Sequence, residues 1–196
     1  ILAWGFGGFL EAVAGYGKVI TVDINTFSNQ LSIQDCGRGV PFGINKEGKD
    51  AIIEATCNLH GGGKFVGQEG YKSSLGLHGL GLKCIHYLSS KFHIRSCRDK
   101  EGVCDLSFDE NDKQCGPTVV KRASTSTGTL VEFIPDQRIF GPLKWNKDVI
   151  ADRRQTYALL NNNITFVLTV NGTKYKSFVY TDGIKDLLAI KVGNRK

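Results

Sequence analysis

Two short stretches carry residue types at a spacing that chemistry can use. DCGRGVP, Asp35 to Pro41, follows an alternating apolar segment and sets an acceptor-only carboxylate just ahead of two glycines. Gly37 and Gly39 permit positive φ or a close approach of backbone to a ligand. Read alone, the segment is more simply a turn. The second stretch is GGGKF, Gly61 to Phe65, then GYKSSLGLHGLG, Gly70 to Gly81, running straight into a helical pattern. Successive glycine N–H groups turned inward, beside the positive end of a helix, make a cradle for a phosphate. No GK[ST] closes the glycine run as in a P-loop, and no βαβ unit surrounds it as in a dinucleotide fingerprint. A flexible loop beside a closely packed helix is the other reading of the same glycines.

The elements that must hold these stretches are legible from periodicity. Lys18 to Ile24 alternates, with Ile20, Val22 and Ile24 on one face, and Leu31 to Gln34 follows a polar turn, which predicts a strand pair. Helical spacing runs over Lys49 to Asn58 and over His78 to Ser89, where Leu80, Cys84 and Leu88 form the expected apolar stripe. Leu59 to Leu75 is aperiodic and glycine-rich, and a loop of that length in a compact domain is expected to be functional or disordered. Strands are predicted at Phe92 to Arg98, Val103 to Phe108, Thr118 to Lys121 and Thr129 to Ile134, with Cys104, Leu106 and Phe108 on one face. A helix over Asn146 to Leu160 precedes a hairpin, Ile164 to Val170 and Lys174 to Tyr180, about the type I′ signal Asn171-Gly172, and Asp182 to Ile190 closes as a helix. The sum is one α+β domain over residues 1–196, a two-layer sandwich of a mostly antiparallel sheet with its helices on one face.

Composition narrows the class. The 196 residues are 41% hydrophobic and 22% charged, enough to bury a core, and no apolar run approaches the roughly 18 residues of a membrane span. Twenty-five Lys and Arg against nineteen Asp and Glu give +6, spread without a dense basic block, so direct nucleic-acid contact is not expected of this segment. The six cysteines form no CxxC pair and have no histidine at zinc spacing, which speaks against a structural metal. Cys97 and Cys104 face each other if DKEG is a hairpin turn, leaving a cross-strand disulfide or, the favoured reading, two buried thiols in a reducing compartment. Two glycosylation sequons, at Asn163 and Asn171, matter only in a secreted protein. The sequence contains no Met, so a fragment or a processed product is expected.

Taken in order, strand, DxGxG, helix, glycine-rich segment, GxxGxG and helix resemble the nucleotide site of the GHKL ATPases. EAVAGYG, DCGRGVP, LHGGGKF, GYKSSLGLHGLG and STGTLVEFIPD are similar to the ATPase domain of the bacterial type IIA topoisomerases, in the B-type chains of gyrase and topoisomerase IV. The similarity continues through ADRRQTYALLNNNITFVL and YTDGIKDLL, from Glu11 to about Leu188. The resemblance implies a GHKL fold, ATP and Mg2+ as cofactors, a bacterial cytoplasm or an organelle of bacterial descent, and no membrane. It also implies a second B-type subunit, an A-type subunit, DNA bound through other domains, and aminocoumarin-type inhibitors at the nucleotide site. Asp35 matches the aspartate that accepts the adenine amino proton, and Thr129 the threonine that shares the base with it. Gly37 and Gly39 match the backbone beside the base; Arg38, Pro41 and Arg98 match the rim where the inhibitors lie. Gly76, Leu77, His78, Gly79, Leu80 and Gly81 match the phosphate cradle, with His78 contributing backbone, and Lys64 and Lys72 fall in the lid. For Lys64, Lys72 and Arg38 a solvated surface charge is the competing reading.

The resemblance breaks at the front. Aligned on EAVAGY, the family's water-activating glutamate falls on Ala3, its metal-holding asparagine on Gly7, and the acidic position between them on Phe6. Alanine accepts no proton and glycine ligates no metal. The expected catalytic and metal sets are therefore empty, which sets a hydrolysis-deficient nucleotide-binding module beside an ATPase as an alternative. The abrupt return of family wording at Glu11 adds a third reading, in which the first ten residues come from a frame slip or a junction. The family's N-terminal arm is expected before Ile1, and the domain that lends a lysine to the γ-phosphate after Lys196.

Overall fold

The computed structural model describes residues 15–58, 80–111, 113–120 and 126–193. Eight strands form one sheet: β1 (Val19–Asn25), β2 (Gln30–Asp35), β3 (Ser89–Arg98), β4 (Gly102–Phe108), β5 (Gln114–Val120), β6 (Gly128–Pro135), β7 (Thr165–Val170) and β8 (Thr173–Phe178). Their order across the sheet is β5-β4-β3-β6-β2-β1-β7-β8. Every pairing is antiparallel except β1 with β7. The helices are α1 (Ala51–Thr56), α2 (Leu80–Tyr87), α3 (Gln137–Phe140), α4 (Lys147–Leu160) and α5 (Ile184–Val192).

Alternation decides which side of the sheet is covered. Ile20, Val22, Ile24, Leu31, Ile33, Phe92, Ile94, Leu106, Val131, Phe133, Phe166 and Leu168 form one buried cluster with Ile52 of α1, Leu82 and Ile85 of α2, and Ile150, Ala151 and Ala158 of α4. A strand buries every second residue and a helix about two per turn, so one sheet face covered by helices accounts for both patterns. This is the expected α+β sandwich. Asp50 caps α1 by accepting from Ile52 N at 3.1 Å, and Asn146 caps α4 by accepting from Asp148 N and Val149 N. At the predicted hairpin Asn171 and Gly172 hold φ 52° and 75°, the pair of positive values a type I′ turn requires. Asn171 Oδ1 also accepts from Thr26 N at 2.8 Å, tying this turn to the β1–β2 turn.

Two expectations are corrected. The inward side of α2 is not the stripe expected through Cys84 and Leu88: Cys84 is exposed and Leu88 only half-buried, while Leu82, Lys83, Ile85 and His86 are buried. The reason is aromatic, because the His86 ring packs against Phe108 at 4.0 Å and Phe92 at 5.2 Å and takes a core position that polarity scales deny it. The expected facing of Cys97 and Cys104 also fails, while the favoured reading of free thiols stands. The β3–β4 register sets Ser96 against Cys104 and Cys97 against Val103, so the two cysteines point to opposite faces; neither is in a disulfide, and Cys97 is only half-buried.

The other sheet face carries a charged row, not covered by a helix among the described residues. His93 Nδ1 lies 3.0 Å from Glu132 Oε2 and its Nε2 2.9 Å from Asp105 Oδ1, while Arg95 Nε donates to Asp105 at 2.8 Å. The hydrogen bond to Glu132 raises the His93 pKa against the opposing effect of burial, with Asp105 adding to the rise. The same His93 bond holds Glu132 low; for Asp105, burial pushes upward but the bonds from Arg95 and His93 outweigh it, and it too lies below the usual range. The carboxylates thus stabilise the fold above their ordinary pKa values near 4, and that contribution is lost as pH falls through their depressed values. Protonated His93 stabilises it below about pH 6.5, and this is lost as pH rises through its raised value. Urea unfolding across pH is therefore expected to show a maximum between about pH 4.5 and 6.5, with an alkaline-side fall of about 1 kcal/mol or less, since the cluster is partly exposed and screened. In His93→Gln that alkaline-side fall is expected to vanish.

Candidate nucleotide site

The site is built where β2 ends and β6 begins. β2 pairs with β6 up to Gln34 opposite Leu130, which leaves Asp35 beside Gly128 and Thr129 at the sheet's end. Asp35 is 8% exposed, and its Oδ1 accepts from Gly37 N at 2.9 Å and from Thr129 N at 3.1 Å. Two backbone donors on one oxygen fix the carboxyl plane and thereby aim Oδ2. Gly128 makes the approach possible: its φ is 146°, and a Cβ there would sit 2.1 Å from the Asp35 carbonyl oxygen. Thr129 itself is 5% exposed.

The rest of DCGRGVP is pinned against the end of β3. Gly39 has φ 82°, and a Cβ on it would lie 2.5 Å from the Cys97 carbonyl oxygen and 2.8 Å from Ser96 Oγ. Arg98 Nη1 donates to the Gly39 carbonyl at 2.8 Å and its Nε to Glu101 at 2.9 Å, while Ser96 Oγ donates to the Val40 carbonyl at 2.6 Å. Pro41 follows, exposed. On the other side the Arg38 guanidinium lies 4.0 Å over the Tyr16 ring, a cation–π contact. The loop is therefore a held shelf. A carboxylate stands at its inner end, a cation at its rim, and backbone lies between them.

Of the residues the sequence nominates, the structure brings Asp35, Gly37 and Thr129 into one hydrogen-bonded group and Gly39 and Arg98 into a second, with Arg38 and Pro41 on the connecting loop. Leu80 opens α2, and Gly81 lies exposed within it with open space where a Cβ would project. Ala3, Gly7, Lys64, Lys72, Gly76, Leu77, His78 and Gly79 lie outside the described residues. Sequence reasoning missed Tyr16, Ser96 and Gly128. Gly128 lies within the quoted STGTLVEF without a local sign of its contact to Asp35, and Ser96 carried only the inward phase of β3. Among the described residues no group of three His, Cys, Asp or Glu is placed to hold a metal ion. The described part fits the base-recognising end of a nucleotide: a fixed carboxylate acceptor, and glycines that bring backbone against a flat ligand.

No family model matches the chain. The chain is 37% identical over 183 residues to the B-type subunit of DNA topoisomerase 4 from Staphylococcus aureus, and the same figures hold for the strains MW2, Mu50 and N315. The match covers 91% of this chain and 27% of each relative, so the chain spans about a quarter of their length. No helix among the described residues is long and apolar enough to cross a membrane. With this identity along nearly the whole chain and with the α+β sandwich expected of that fold, the chain is a GHKL-type domain related to about a quarter of a type IIA topoisomerase B-type subunit.

Proposed function

We propose that this chain is the ATP-binding domain of a type IIA topoisomerase B-type subunit, of the gyrase or the topoisomerase IV kind, folded as a single domain. The observation that carries the reading is the Asp35 carboxylate, held by Gly37 N and Thr129 N at the mouth of the Gly39 shelf. Its second oxygen is oriented to accept the exocyclic amino proton of adenine. Gly37 and Gly39 admit the base edge, and Arg38, Pro41 and Arg98 form a rim for the sugar side or for an aminocoumarin-type inhibitor. Gly76 to Gly81 would hold the phosphates, with Lys64 and Lys72 above them. In the full protein, nucleotide binding would drive pairing of two B-type subunits and couple, through an A-type subunit, to passage of one DNA duplex through another. The compartment is a bacterial cytoplasm or an organelle of bacterial descent.

Hydrolysis is a separate question, because Ala3 and Gly7 supply neither a general base nor a ligand for Mg2+. Loss of a general base costs about 10²- to 10⁴-fold, which leaves an ATP-binding module that turns over little or nothing. Isothermal calorimetry with a non-hydrolysable ATP analogue tests the reading: binding is expected, and a folded sample that shows none overturns it. Phosphate release by the same sample is expected to be near background and to rise on installing Ala3→Glu with Gly7→Asn. Turnover by the unaltered chain at the rate of the double variant would dismiss the hydrolysis-deficient form.

A further inference from the structure

The shelf beside Asp35 is held by a residue where the strand pattern calls for an aliphatic side chain. The inward phase of β3 runs Phe92, Ile94, Ser96. The first two belong to the core, whereas Ser96 is polar and 0% exposed. A hydroxyl taken from water needs a partner, and this one finds it outside the sheet: Ser96 Oγ donates to the Val40 carbonyl at 2.6 Å. Arg98, two residues on and therefore on the same face of β3, takes the preceding carbonyl, that of Gly39. The two anchors differ in their surroundings. The Arg98 side chain is 24% exposed and also donates to Glu101, so water competes for its bond, while the Ser96 hydroxyl is shut away from water.

Ser96 also stands opposite Thr129 in the β3–β6 register, and Thr129 N donates to the Asp35 carboxylate. One strand pair therefore joins the acceptor at the inner end of the shelf to the anchor at its outer end. We infer, on the nucleotide-binding reading proposed above, that Ser96 is a positioning residue, whose hydroxyl holds the Gly39–Val40 backbone in a fixed place relative to Asp35 so that a purine meets a preformed surface. Ordering the loop before the ligand arrives spares the cost of ordering it on binding, and affinity scales with the fraction of molecules in which the loop is in place. Size matters as much as the hydroxyl. A Cβ on Gly39 would lie only 2.8 Å from Ser96 Oγ, so the glycine backbone rests close against the hydroxyl, and a longer aliphatic side chain at position 96 would lift it.

The test is calorimetry of the 196-residue chain with the non-hydrolysable ATP analogue, run well below the unfolding midpoint of every variant so that lost stability does not pass for lost affinity. Ser96→Ala, which leaves the Val40 carbonyl without its donor, is expected to bind about 3- to 10-fold more weakly than the parent, the value of one hydrogen bond. Ser96→Thr keeps the hydroxyl, and Ser96→Val has the same shape without it. Ser96→Thr is expected to bind more tightly than Ser96→Val by that same factor. A serine that serves the fold alone would lower the unfolding temperature of the alanine variant and leave its affinity at that of the parent. That result overturns the inference, as does equal binding by Ser96→Thr and Ser96→Val. The second comparison stands without the first, so an alanine variant that fails to fold leaves the inference open to refutation. A parent that binds no analogue fails the nucleotide reading itself, whereas a parent that binds, beside an equally tight Ser96→Ala, fails only the role of Ser96.

Discussion

Asp35→Asn is expected to lower affinity for the ATP analogue by about 30- to 700-fold while leaving the thermal unfolding of the domain close to that of the parent. The asparagine carbonyl can occupy the Oδ1 position and go on accepting from Gly37 N and Thr129 N, so the local frame survives. Its amide nitrogen then stands where Oδ2 stood, and a donor faces the donating amino group of adenine. An unmatched polar contact in a mostly buried site costs about 2–4 kcal/mol, and each 1.4 kcal/mol is tenfold in affinity. Asp35→Ala provides the contrast. It removes the acceptor from both backbone N–H groups as well as from the ligand, so a stability loss of about 2 kcal/mol or more accompanies the binding loss. Calorimetry and thermal unfolding run on both variants separate the two roles of one carboxylate. Asparagine binding as tightly as aspartate would mean that Oδ2 does not meet a donor.

How much of this was legible in the sequence depends on what a residue's neighbours are. Strand alternation carried Ile20, Val22, Ile24 and Cys104, Leu106, Phe108 to the core because period 2 needs no knowledge of partners, and Asn171-Gly172 declared its turn because few other pairs tolerate two positive φ values. Asp35 was nominated through the family resemblance, because its segment read alone is a simple turn; what the structure adds is the pair of backbone donors on Oδ1. What could not be read depended on distant packing. Lys83 and His86 look like the polar side of α2, and only Phe92 and Phe108, arriving on β3 and β4, turn that side inward. Gly128 gave no local sign that its missing Cβ makes room for the Asp35 carbonyl, a contact across 93 positions of sequence. The Cys97–Cys104 pairing failed by one residue of register, which is enough to send a side chain to the opposite face.

Arg154 is the position where sequence and packing conflict most, and it yields the largest expected stability gain. It sits on the inner face of α4 beside Ile150, Ala151 and Ala158, is 1% exposed, and presents all three guanidinium nitrogens with no hydrogen-bond partner among the described residues. Burial lowers its pKa to about 10. Two effects compete at this site. The guanidinium lies 5.7 Å from the Tyr157 ring, near the roughly 6 Å limit of a contact worth about 2 kcal/mol or more when desolvated. Against it stands the desolvation of a cation, which costs several kcal/mol when no acceptor repays it. Desolvation wins, so Arg154→Met, which keeps an unbranched stem of similar reach and removes the charge, is expected to stabilise the domain by about 1–3 kcal/mol. For a chain of this size that raises the unfolding midpoint by about 2–4 °C per kcal/mol. Arg154→Lys separates charge from shape, because it keeps the buried cation and shortens the contact surface. It is expected to unfold no later than the parent, whereas a methionine variant that unfolds earlier would show that the guanidinium is held by an acceptor and is part of the fold's design.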